Sequence, residues 1–389
     1  MLRTLEGSTG RLLQLCLGYY IFYVVTGVAV KYFTGDAPKF PGMNDVEYLT
    51  YSTFSSVIVV FLFVLVRRWY RLDSQQRVTV AGRSIPAELL YIVPSGVCTA
   101  VVIPTTTLMY SLPISVMVAM VIMRGAIIVV SWLVDAIQIR QGLLKRRVYW
   151  QEHVAVVFAL LAVGAKVLWI PSIVNPAAGL LGLEGLRMQA GAGDGHFEFL
   201  SSRAAMTILG SYVFAYGIRI YIMNYYKNTR GKGQKQNNKG FFAVEQISAT
   251  LTLLLVAAIL LVVPLDAEKP LQQLFDYQES VQQPHAEWGW AMFWGVAYGI
   301  VAFFSVFIFM FKGRTATFAG LVNRLTSLIA GTTATLVFHF VFGGKMPAPD
   351  DWLALFFILV AVTFLTQAET RRRAELAAAG ELPATPRPA

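Results

Sequence analysis

The sequence predicts an all-α membrane protein with about ten transmembrane helices, arranged as two inverted five-helix repeats. Three observations carry that expectation. Of the 389 residues, 56% are hydrophobic and only 14% are charged, whereas soluble proteins carry about a quarter charged residues. The apolar residues fall in long blocks, and a helix needs about 20 of them to cross a bilayer. Lys and Arg collect on every second connector, the pattern of short cytoplasmic loops.

The first block, 12–33, is followed by no small-residue cleavage pattern and outruns a signal-peptide core, so it reads as a retained span. The second, 46–66, stops at Arg67 and Arg68. In the third, 89–111, Pro94 and Pro104 predict a broken helix that offers the hydroxyls of Thr105, Thr106 and Thr107 to a cavity. Arg124 lies in the middle of the fourth, 113–137. Asp135, Lys31 and Lys166 stand near span ends and are expected to snorkel. The fifth, 150–170, opens on Trp150. The second half gives 204–224, 241–263, 288–311, 315–341 and 352–367. Residues 1–171 therefore form one repeat and 204–367 the other. An outer connector, 172–203, joins them, and 368–389, rich in Ala, Pro and Glu, is expected to be a disordered cytoplasmic tail.

With the N-terminus inside, 22 of the 32 Lys and Arg residues fall on cytoplasmic segments. This predicts both termini in the cytoplasm, in the inner membrane if the source is bacterial. It also accounts for the net charge of +10 without nucleic acid. The basic loop 227–239 is read as a contact for anionic lipid headgroups. Cys16 and Cys98 lie in apolar blocks and read as packing residues.

The last two spans of each half share a pattern. One runs VAMVIMRGAIIVVSWLVDAI and then WQEHVAVVFALLAVGAKVL; the other runs FAGLVNRLTSLIAGTTATLVF and then WLALFFILVAVTFLTQ. Arg124 precedes Trp150 by 26 positions and Arg324 precedes Trp352 by 28. Opposed halves would bring both arginines to one depth, the plan of transporters with a midplane site. In span number, short loops and this paired hairpin, almost the whole chain resembles the drug/metabolite transporter superfamily. That group includes exporters with the EamA repeat, triose-phosphate translocators and nucleotide-sugar transporters. Gly320-Leu321-Val322-Asn323-Arg324 is similar to the Gly-Ala-Leu-Asn-Lys signature of one nucleotide-sugar group, with Arg in place of Lys. The companion Phe-Tyr-Asn-Asn signature has no counterpart at 241–245.

The resemblance implies an alternating-access antiporter or other secondary carrier. The midplane arginines add an expectation of a small anionic metabolite, whether phosphate-bearing, nucleotide-sugar-like or another anion. A cation at the bilayer centre costs about 3 kcal/mol even on lenient scales, so Arg124 and Arg324 are the leading anion-binding candidates. Thr326 and Ser327 are alternative partners for Arg324. Asn323, Tyr23, Tyr216, Gln246 and Tyr298 are further substrate-binding candidates. Glu245 with Arg219, near the inner ends of their spans, forms a gating or proton-coupling candidate or a structural ion pair. The chain is read as no enzyme, with no catalytic residue, cofactor or metal site; its partners are the anion and membrane lipids, as a monomer or homodimer. The glycines of 191–195 and the group Asp194, His196 and Glu198 are read as a polar outer loop. Two other readings stay open: an exporter of amino acids or amphipathic compounds, and an integral-membrane enzyme acting on lipid-linked substrates.

Overall fold

The computed structural model describes residues 8–36, 38–72, 74, 77–80, 82–110, 116–144, 148–164, 175–176, 179–180, 182, 203–229, 236–265, 271–311, 314–344, 346 and 349–378. The glycine-rich stretch 191–195, the group at 194–198, Lys166 and the tail from 379 lie outside the described residues, as does most of the connector 172–203.

Among the described residues the fold is all-α apart from one hairpin. Its helices are α1 (Thr9–Phe33), α2 (Asp45–Val66), α3 (Leu89–Tyr110), α4 (Val116–Arg140), α5 (Trp150–Gly164), α6 (Arg203–Asn228), α7 (Asn238–Val262), α8 (Gln272–Gln282), α9 (Trp288–Phe309), α10 (Ala316–Phe342) and α11 (Pro349–Ala378). A helix occupies each of the ten segments read as spans. Eight of these are long and apolar enough, on their described residues, to cross a membrane. Their outward side chains, among them Leu62, Phe63, Leu255, Ile259, Phe356 and Leu359, are exposed and apolar, while charged groups turn inward. Such an inverted surface marks an integral multi-pass membrane protein, since hydrocarbon is the solvent these faces suit.

Local chemistry sets the helix ends. Ser8, Asn44, Asn237 and Thr315 cap α1, α2, α7 and α10, each accepting a hydrogen bond from a backbone N–H three residues on. Two elements were not legible in the sequence. One is the antiparallel hairpin β1 (Arg77–Val80) and β2 (Arg83–Pro86), which turns at Gly82. The other is α8, a short polar helix docked on α2 and α7. Gln278 donates to the carbonyls of Leu260 and Val263, both at 2.8 Å, and so caps the end of α7 from outside.

The helices pair as α2 with α9, α5 with α11, α3 with α6 and α7, α1 with α9 and α10, and α4 with α6 and α10. Small residues allow two of these approaches. A Cβ on Gly96 of α3 would stand 2.5 Å from the Glu245 carbonyl oxygen of α7, and one on Gly299 of α9 would stand 2.8 Å from the Ser56 carbonyl oxygen of α2.

Three expectations are corrected. Helix α3 is unbroken through Pro94 and Pro104. Thr106 does line a cavity, but its hydroxyl and that of Thr105 donate to the carbonyls of Val101 and Val102; Ser248 of α7 donates to that of Val93, and the side chain of Thr107 lies outside the described residues. Asp135 does not snorkel: it is fully buried and accepts from the backbone N–H groups of Ala316 at 2.8 Å and Thr317 at 2.6 Å, and from Asn224 at 3.2 Å. It therefore caps α10 from α4. Lastly, α11 continues to Ala378, past the expected start of a disordered tail at 368. Glu369 bonds Arg314 and Thr9, and Arg372 pairs with Glu152, which also accepts from Thr315. Inward-facing ion pairs hold this extra turn, so Arg314 and Arg372 are buried structural cations rather than loop charges.

Candidate functional site: an arginine and tyrosine cavity

Helices α1, α2, α3, α4, α6, α7, α9 and α10 enclose a cavity of about 130 Å³. Its polar lining comes chiefly from arginines and phenols. Helix α4 supplies Arg124, α6 supplies Arg219 with Tyr212 and Tyr216, and α10 supplies Arg324. Tyr19 and Tyr23 enter from α1, Tyr298 from α9 and Gln246 from α7.

The three guanidinium groups are held differently. Arg124 donates through Nη2 to the Tyr23 hydroxyl at 3.0 Å. Arg219 makes a side-on fork with Glu245, Nε to Oε1 at 2.9 Å and Nη2 to Oε2 at 3.2 Å. Glu245 is fully buried, and its Oε1 also accepts from Ser95 at 2.7 Å and Thr99 at 3.3 Å. Arg324 has no such anion. Its Cζ lies 4.8 Å from the Tyr216 ring centroid, and that of Arg219 lies 5.7 Å from the same ring. With 8% of its surface exposed, Arg324 leaves both Nε and Nη2 buried without a hydrogen-bond partner. Thr326 and Ser327 do not serve it, because their hydroxyls donate to the carbonyls of Val322 and Arg324 itself. Gln246 Nε2 is a second buried donor without an acceptor.

The chemistry of this arrangement is one-sided. Among the described residues no carboxylate lines the cavity. Glu245 stands behind Arg219, already engaged. Nε and Nη2 share one edge of the planar guanidinium fork, the geometry that takes two oxygens of a carboxylate or phosphate. Glu245 occupies that edge on Arg219; on Arg324 the same edge is buried and has no hydrogen-bond partner.

Of the residues singled out in the sequence, Arg124, Arg324, Arg219, Tyr23, Tyr216, Gln246 and Tyr298 all line this one cavity. Asn323 does not. It is fully buried, donates to Ser305 at 3.0 Å, and stands 3.5 Å from the Tyr19 hydroxyl. One residue along a helix is a turn of about 100°, which sends Asn323 into the packing against α9 and α1 while Arg324 faces the cavity. The expected Arg219 and Glu245 pair is present, and Arg219 in addition lines the cavity and shares the Tyr216 ring with Arg324. Sequence reading overlooked Ser95 and Thr99, whose spacing of four puts both hydroxyls on one face of α3. Comparison with protein-family models and with curated proteins finds no match.

Proposed function

We propose that this chain is an alternating-access secondary transporter of a compact anionic metabolite, with Arg324 as the principal anion-binding group. The carrying observation is that Arg324, which lines the cavity, keeps a buried fork edge without a hydrogen-bond partner, while no carboxylate among the described residues lines that cavity. Burying an uncompensated cation costs several kcal/mol, and a ligand that supplies the missing charge recovers that cost. Arg124, Gln246 and the phenols add donors around the same volume. The donors are one-sided, which fits a carboxylate or phosphate group on the solute.

The helix neighbours support the inverted-repeat reading and, with it, kinship to the drug/metabolite transporter superfamily. Exchanging α1, α2, α3, α4 and α5 for α6, α7, α9, α10 and α11 turns the α2 to α9 pairing into that of α7 to α3. It also turns α3 to α6 into α9 to α1, and α1 to α10 into α6 to α4. The glycine approaches at Gly96 and Gly299 exchange in the same way. Two halves related like this can rock about a fixed central site. The bias of Lys and Arg favours cytoplasmic termini.

The test is uptake by proteoliposomes of radiolabelled glycerol phosphate, lactate and glycerol, with the wild type beside Arg324→Ala. Uptake of at least one anion, with none of glycerol and with loss in the variant, is expected. Equal uptake of anion and neutral solute would overturn the proposal.

A further inference from the structure

Arg219 has two faces: it lines the cavity, yet its fork edge is occupied by an internal carboxylate, Glu245. An oxyanion in the cavity and Glu245 are chemically alike, and each seeks the same kind of donor pair. The guanidinium carbons of Arg324, whose fork edge has no partner, and of Arg219, whose edge is filled, lie 4.8 Å and 5.7 Å from the centroid of one ring, Tyr216. An anion held by Arg324 is therefore within the reach of one phenol ring of Arg219.

We infer that the transported anion and Glu245 compete for Arg219, and that Glu245 takes up a proton as it yields. This rests on the anion site proposed above and assigns its coupling. In the resting state the Glu245 carboxylate neutralises Arg219. When the cavity loads, one proton from water on the open side binds Glu245, which becomes a neutral acid. The freed Arg219 edge joins Arg324 on the oxyanion. Each turnover carries one proton with one anion, and return of the empty carrier needs the proton released and the Glu245 to Arg219 pair remade.

The surroundings of Glu245 suit both of its forms. Ser95 and Thr99 donate to it now, and because a hydroxyl can donate or accept, both remain partners when the carboxyl carries a proton. The titratable and charged groups near it come from every packed element. From α6 come Arg219 and Tyr216, from α3 Cys98, and from α9 Tyr298. Helix α2 brings Ser56 and Val57 to the same cavity. Asp276, Tyr277 and Glu279 of α8 sit at the opposite end of α7, where Tyr277 and Gln278 bond its last carbonyls. The second cation of the cavity wall, Arg324, disfavours release of Arg219 unless an anion arrives with it, which ties the two events together.

The experiment uses purified full-length protein in weakly buffered detergent with a pH-indicating dye. The probes are sulfate and methanesulfonate, oxyanions whose charge is fixed across neutral pH. Affinity is read from ligand-induced thermal stabilisation. In the wild type, proton uptake approaching one per bound anion is expected, with affinity falling up to tenfold per pH unit as pH rises. Glu245→Gln, which resembles the protonated form, should bind with a flat pH profile and take up no proton. The wild-type proton uptake stands on its own if that variant folds poorly. Binding by the wild type without proton uptake, or uptake that persists in Glu245→Gln, overturns the competition and leaves the anion site standing. Absence of stabilisation by either probe in both proteins at every pH removes the anion site and the competition with it.

Discussion

Arg324→Met separates a cation kept for a ligand from one kept for the fold. The substitution retains an unbranched stem against Tyr216 and removes the charge. Two terms set the expected change in the empty protein. Removing a buried guanidinium whose Nε and Nη2 lack partners relieves several kcal/mol of desolvation, and losing its stack on the Tyr216 ring forfeits about 2 kcal/mol. Empty-state stability should therefore hold or rise by about 1–4 kcal/mol, a few degrees in thermal midpoint. Anion binding should respond in the opposite direction. Loss of two charge-assisted hydrogen bonds, each about 1.5–3 kcal/mol, weakens Kd by roughly two to four orders of magnitude. The assay is thermal unfolding of detergent-purified protein, followed by aggregation-sensitive chromatography, with and without a panel of anions. A midpoint that drops by many degrees in the empty variant, together with unaltered stabilisation by anions, would refute the reasoning and make Arg324 a packing residue.

Three further outcomes are expected. Asp135→Ala should destabilise by about 3–5 kcal/mol, because it leaves two backbone N–H groups of α10 and Asn224 without their buried acceptor; the same thermal assay reads it, and a neutral result would remove the cap from the account. Gly299→Ala should cost about 1–3 kcal/mol, since its Cβ would stand 2.8 Å from the backbone oxygen of Ser56; an unchanged midpoint would mean that α2 and α9 separate freely. Engineered cysteines at Thr229 and Gln283 should label with an impermeant thiol reagent from opposite sides of the membrane, Thr229 from the cytoplasm, and labelling of Thr229 from outside would reverse the orientation.

The apolar helices were written in the sequence because a membrane span is a local property: some 20 apolar residues in a row suffice, whatever they later pack against. Arg124 and Arg324 were legible for the same reason, as cations in the middle of apolar blocks. What a single block cannot show is which way a side chain turns once eight helices close around it. The adjacent Asn323 and Arg324 were read together, yet a rotation of about 100° puts one in packing and the other in the cavity. Asp135 and Arg372 stand near span ends, where a charge ordinarily finds water. Only the arrival of the α10 N-terminus and of Glu152 explains their burial. The Glu245 site likewise joins α3, α6 and α7, whose relevant residues lie up to 150 positions apart. Sequence determined the apolar lengths and the charges that violate them. Tertiary structure decided which of those charges are neutralised and left the fork edge of Arg324 without a partner, because the pairing of desolvated charges is settled by contacts between helices rather than within one.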